Sequence, residues 1–224
     1  MRSLLLLYFI SFLFSQNYPR SKIYDYYENC IGSVNYNVNN SMESYEQSGL
    51  ILSFNNADYV FVFCSYDDIQ AFGSHVTLNG GYKAQITGYY DNKTWPYLYF
   101  FLIDIGDYFH PLEPNYLRTR DLDLTSEFLS IGFDRSVKRK IREGYVNRKI
   151  SSDNNISLYG KIIKTGSKIN DIIVSPNGKL IGLANKVIGY NTISIMPYEI
   201  IKKIYSISNY KSFSDIRSRS ENVW

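Results

Sequence analysis

Val76-Thr77-Leu78-Asn79-Gly80-Gly81-Tyr82-Lys83-Ala84-Gln85-Ile86-Thr87-Gly88-Tyr89 reads as two strands joined by a tight turn. Asn79 and Gly80 suit a two-residue hairpin, whose central positions need positive φ. Outward from this hairpin, short apolar runs alternate with turn signals. Upstream, Leu50-Ile51-Leu52-Ser53-Phe54 ends at Asn55-Asn56, and Tyr59-Val60-Phe61-Val62-Phe63-Cys64 ends at Ser65-Tyr66-Asp67-Asp68. Downstream, Tyr97 to Ile105 (YLYFFLIDI) is the strongest run. Strands about ten residues apart are the pattern of a barrel or a sandwich. The second half repeats the texture in Phe128 to Phe133, Gly144 to Val146, Ile156 to Ile163, Asp171 to Val174, Leu180 to Ala184 and Thr192 to Met196, with Ser175-Pro176-Asn177-Gly178 as a turn. A helix is expected over 197–205, with Pro197 at its first position and Ile200, Ile201, Ile204 and Tyr205 on one face.

Composition agrees with an all-β reading. The 224 residues include 22 Tyr and only four Ala, a mix that favours strands and turns over helices. Apolar residues make up 45% and charged residues 20%, enough to bury a core and too few charges for a disordered tail. A net charge of +3 is too small for a nucleic-acid footprint, which needs a concentrated basic face. The phosphate-loop, dinucleotide, zinc-protease, CxxC and GxSxG fingerprints are all missing from the sequence. No cofactor is expected.

Residues 1–15 read as a signal peptide. Arg2 precedes an unbroken apolar run, Leu4 to Phe14, whose eleven residues rise about 16 Å as a helix, half of a bilayer core. Cleavage after Ser15 gives a mature start at Gln16; an uncleaved anchor or a buried first strand is the competing reading. No second run of spanning length appears, so secretion without a stable membrane span is expected. Asn39, Asn92 and Asn155 head three N-glycosylation acceptors. Cys30 and Cys64 form an even pair, and the sequence predicts a disulfide closing a loop of about 34 residues, worth roughly 3–4 kcal/mol. The competing reading is two buried thiols.

The expected organisation is a polar surface lead-in over 16–47, a folded unit over 48–208 and a polar, loose tail over 206–224. Three further groups have plain explanations. Asp121-Leu122-Asp123 places two carboxylates on one strand face, yet an exposed strand looks the same, and no metal site is assigned. Arg135, Lys138, Arg139, Lys140 and Arg142 read as a solvated basic loop. Trp95, Trp224 and the tyrosines would be sugar-stacking platforms if the fold were a carbohydrate-binding sandwich.

The order of these pieces resembles the trypsin-like double β-barrel, nearest its HtrA-type branch. The hairpin at 76–89 is similar to that family's "VTLxDGxxYxAxVxGYD". Phe128-Leu129-Ser130-Ile131-Gly132 is similar to its "VIAIG" strand, and Ile172 to Leu183 resembles its "PLVNxxGxVIGI". Ile193-Ser194-Ile195-Met196-Pro197 resembles its closing strand and helix. The resemblance spans Ser48 to Ile204, about 70% of the chain. It implies a first barrel at about 48–110, a second at about 124–196 and a C-terminal helix.

The resemblance also places a catalytic triad, and this chain does not fill it. The family uses a histidine base, an orienting aspartate and a serine nucleophile in Gly-x-Ser-Gly-Gly. Ser65 (or Tyr66) stands at the histidine position, Tyr97 (or Pro96) at the aspartate position and Ile169 at the serine position; Asn170 and Asp171 replace the two glycines. Only His75 and His110 remain for any displaced triad. Strand alternation sets Ser74 and His75 on opposite faces, which argues against a dyad, and His110 reads as a loop residue. Ser167 lacks the following glycines, and Cys64 falls at the histidine site rather than the nucleophile site. The implied function is that of an inactive protease homologue holding a protein or peptide as an added strand. The alternatives are an endopeptidase with a displaced triad and a secreted β-sandwich lectin.

Overall fold

The computed structural model describes residues 20–38, 43–54, 58–67, 69–78, 81–106, 114–134, 137–152, 155–163 and 168–212, with the backbone alone for 69–72, 133–134, 137–140, 151–152 and 155–156. Helix α1 (Arg20–Glu28) leads into six strands, β1 (Ile31–Val38), β2 (Ser44–Phe54), β3 (Asp58–Cys64), β4 (Ile69–Leu78), β5 (Lys83–Asp91) and β6 (Leu98–Asp104). These close into a ring in the order β5-β4-β1-β2-β3-β6, sealed by pairing of β5 with β6. A 3-10 turn (Thr119–Asp121) then leads to β7 (Glu127–Asp134), β8 (Val137–Ser152), β9 (Asn155–Ile162), β10 (Ile172–Val174), β11 (Leu180–Ile188) and β12 (Thr192–Pro197). These close a second barrel, β10-β11-β12-β9-β8-β7. Helix α2 (Tyr198–Ser206) and a short strand β13 (Asn209–Ser212) follow, β13 pairing antiparallel with β5.

The unbroken apolar runs have a physical cause: the strands at the junction are buried on both faces, so alternation disappears. In β3, Phe61 and Phe63 fill the first barrel, while Val60, Val62 and Cys64 face outward into a core shared with the second. In β10, Ile173 fills the second barrel while Ile172 and Val174 face the shared core. Among the described residues there are therefore three apolar cores, one inside each barrel and one between them. Phe128 shows how tight the second barrel is, since a Cβ added at Gly144 or Gly160 would come within 2.5 or 2.6 Å of its ring. Glycines there admit a ring whose burial contributes roughly 2–3 kcal/mol.

Several expectations need correction. Residues 20–38 are not a surface lead-in. Ile23, Tyr24 and Tyr27 of α1 are buried, and the Tyr27 hydroxyl donates to Gly178 O at 3.1 Å. Ile31, Val34 and Tyr36 of β1 are also buried, and β1 is the central rung between β2 and β4. Asn, Ser and Gly at its intervening positions hid the strand. Residues 209–212 of the expected tail are ordered as β13, with Tyr210 edge-on to Tyr90 at 5.5 Å. Pro197 precedes α2 in extended conformation (φ −63°, ψ 143°), so the helix begins at Tyr198. The turn residues Asn79 and Gly80, and residues 1–19 with the signal-peptide reading, lie outside the described residues.

The Cys30–Cys64 disulfide is also overturned. Both thiols are free and buried in the shared core, where cysteine serves as a small apolar side chain. Burial pushes each thiol up to about 12.

Candidate functional site: the seam between the barrels

Ser65, Tyr97 and Ile169 come from three distant segments, and the fold brings their backbones to one seam. Ser65 directly follows β3, and its N–H donates to Tyr97 O at 3.0 Å. Cys64, one residue earlier, exchanges two hydrogen bonds with the Asn170 side chain. Its N–H donates to Oδ1 at 2.6 Å, and its carbonyl accepts from Nδ2 at 2.9 Å. Asn170 is buried and holds φ at +70°, a left-handed conformation that Asn tolerates better than most residues. Ile169 beside it packs against the shared core.

Each position is committed to structure. The Ser65 side chain is 3% exposed; its Oγ accepts the Asp67 N–H at 3.2 Å and lies 3.5 Å from the Tyr36 hydroxyl. Tyr36 in turn donates to Asp67 Oδ2 at 3.4 Å. Tyr97 is exposed and its ring lies 6.2 Å from that of Tyr66. Tyr66 reaches across the seam and donates its hydroxyl to Asn185 O on β11. Burial, then nearby Cys64, pushes the Tyr66 hydroxyl up to about 12, so it remains a donor at ordinary pH.

The turn carrying Ile169 and Asn170 is pinned from the second barrel. Asp171 Oδ2 accepts from Arg142 Nη1, Ser130 Oγ and Lys168 N, each at 3.0 Å. The Arg142 and Asp171 side chains are 9% and 4% exposed. Arg142 is thus no member of a solvated loop: positions 138–142 lie in β8, and Arg135 lies outside the described residues. Arg142, Asn170 and Tyr66 were not read as a unit, because their partners lie 29, 106 and 119 residues away in the chain.

The remaining candidates fall elsewhere. His75 sits on β4, separated from β3 by β1 and β2 and from β6 by β5. Contrary to the alternation argument, Ser74 Oγ lies 2.6 Å from His75 Nδ1, the short hydroxyl bending round to the ring of its neighbour. His110, Ser167, Asn39 and Trp224 lie outside the described residues. Asp121 closes a 3-10 turn rather than a strand, Leu122 is buried and Asp123 is exposed. Among the described residues no three His, Cys, Asp or Glu side chains gather as metal ligands. Asn92 uses its amide to cap a loop, donating to Leu98 O at 2.9 Å and accepting from Trp95 N at 2.8 Å; Trp95 packs against the shared core rather than forming a platform. Asn155 opens β9. Among the described residues no helix is long and apolar enough to cross a membrane.

The seam therefore joins the barrels through an amide clamp and a tyrosine strut, and a buried ion pair within the second barrel holds the turn that carries the clamp. These positions hold a buried serine, an exposed tyrosine and an isoleucine, and no imidazole.

No family model and no curated protein matches the chain. Solved structures do match. The HtrA-type protease AlgW with decapeptide superposes with a TM-score of 0.58 at 13% identity, covering 83% of this chain and 66% of that one. The same protease with tripeptide gives 0.61 at 15% identity, with 83% and 62% covered. This chain thus spans a little under two thirds of the length of the chains it matches. The likeness lies in the backbone, and with the two closed six-stranded rings it establishes the fold: the chain has the double β-barrel of the trypsin-like proteases.

Proposed function

We propose that this chain is an exported, catalytically silent protein of trypsin-like fold that binds a peptide or protein segment as an added strand. The observation that carries the reading is the edge of β11. Its ladder with β10 ends at Leu183 and Tyr66 holds the Asn185 carbonyl, so among the described residues no strand pairs with Lys186–Ile188 on that side. Asn185 also keeps its side-chain Oδ1 buried with no hydrogen-bond partner, an acceptor suited to an incoming N–H. An extended segment laid along an open edge satisfies such groups through main-chain hydrogen bonds. Ser65, Tyr97 and Ile169 support the silent half of the reading, since none is an imidazole base and the one serine hydroxyl is buried and hydrogen-bonded. Export rests on Arg2 and the apolar run Leu4–Phe14.

Two measurements test it. Fluorophosphonate labelling of the folded chain, read by intact mass and peptide mapping, is expected to leave every serine unmodified; a stoichiometric adduct names a nucleophile and supports the displaced-triad alternative. A decapeptide selected from a randomised library is expected to protect the amides of residues 186–188 from hydrogen exchange. Protection confined to other strands refutes docking at β11.

A further inference from the structure

The outer face of the second barrel carries a pocket of about 740 Å³, inside the roughly 300–1,000 Å³ range of ligand sites. Its floor follows from strand register. Glu127 lies opposite Tyr145 and Leu129 opposite Glu143 across the β7–β8 ladder. Alternation places these four on one face. Ile163, 62% exposed, lines it as well, and Arg20 at the start of α1 leans in to pair with Glu143.

Two carboxylates thus meet one guanidinium. Glu127 has no salt bridge among the described residues and stands beside a tyrosine ring and an exposed isoleucine. A carboxylate flanked by apolar surface suits a cation on a methylene stem, which packs its stem and pairs its head. Arg20 on Glu143 is an internal example of that pairing. We propose that this pocket receives a lysine or arginine side chain of a basic, apolar partner peptide, with Glu127 as the principal anchor and Arg20 as an internal competitor for Glu143. The site is separate from the β11 edge. Glu127 is on β7, which β10 separates from β11, and the open edge lies past the end of the β10–β11 ladder, at the end of β11 away from the Pro176 turn that borders the pocket. The two readings therefore fail independently.

The test is fluorescence anisotropy on the full chain with an end-blocked, labelled Leu-Lys-Leu-Lys-Leu peptide, and its Leu-Glu-Leu-Glu-Leu counterpart as the charge-reversed probe. Saturable binding of the basic peptide alone is expected. Glu127→Gln, an exposed and near-isosteric change, should weaken it roughly two- to fivefold, the size of a partly exposed ion pair. Arg20→Ala should tighten it, because Glu143 is released. Absence of saturable binding, an unaltered Kd in Glu127→Gln, or weaker binding in Arg20→Ala each overturns the proposal, the last by assigning the pocket to an anion held by Arg20.

Discussion

Replacing Asn170 by alanine removes the clamp between the barrels, and its cost follows from the atoms involved. The Asn170 amide gives one hydrogen bond to each main-chain polar group of Cys64, at 2.6 and 2.9 Å, in a buried setting. Truncation strands a buried N–H and a buried carbonyl, each costing roughly 1–3 kcal/mol. The backbone adds a second term: at φ +70°, Ala is disfavoured by roughly 1 kcal/mol more than Asn. Asn170→Ala should therefore lose about 3–7 kcal/mol. Asn170→Gly removes the same hydrogen bonds but accepts the left-handed backbone, so it should be less damaging by about 1 kcal/mol. Urea unfolding of both variants, followed by tyrosine fluorescence and far-ultraviolet circular dichroism, measures the difference. A loss below about 1 kcal/mol in Asn170→Ala, or a larger loss for Gly than for Ala, refutes the clamp.

Three further outcomes are expected. Arg142→Met leaves the Asp171 carboxylate buried without its cation and should cost roughly 3–5 kcal/mol by chemical denaturation; adding Asp171→Asn should recover part of that, and no recovery shows that Arg142 acts through packing alone. Tyr66→Phe deletes the strut to Asn185 O and should cost only about 0.5–1.5 kcal/mol, because the ring is partly exposed; a loss above 3 kcal/mol places it in the core. The thiols of Cys30 and Cys64 are raised in the folded chain from 9.0 to about 12. The unfolded chain therefore releases their protons first. Their contribution is fully present below about pH 9 and declines as pH rises toward about 12, joined by Tyr26 and Tyr66, which rise from 10.0 to about 12. Thermal midpoints across that window test the sign, and a flat profile contradicts it.

How much was legible depends on the range of the cause. The runs at 59–64, 97–105 and 180–184 announce strands because each strand's burial is written into its own residues, and the double barrel was expected from the resemblance of their order to a known fold. β1 was illegible because Gly32, Ser33, Asn35 and Asn37 interrupt its apolar residues, and β8 because Lys138, Arg139 and Lys140 mimic a loop. The disulfide was inferred from an even count of cysteines, a quantity that knows nothing of the apolar core enclosing both. At the seam, the residue types at 65, 97 and 169 could be read, but their use could not.

The sequence by itself determined that the chain is built of short strands cut by turns, and the order of those strands resembles a trypsin-like double barrel with Ser65, Tyr97 and Ile169 at its triad positions. Each of these rests on local pattern: short apolar runs, the turn residues between them, and the order in which they follow one another. The tertiary structure alone decided that Asn170 grips Cys64, that Arg142 and Asp171 pair in the interior, that Tyr66 crosses to Asn185, and that Glu127 and Tyr145 share a floor. Those contacts join residues that chain closure brings together from far apart, and an amide, a guanidinium or a hydroxyl looks the same in sequence whether solvent or a buried carbonyl receives it.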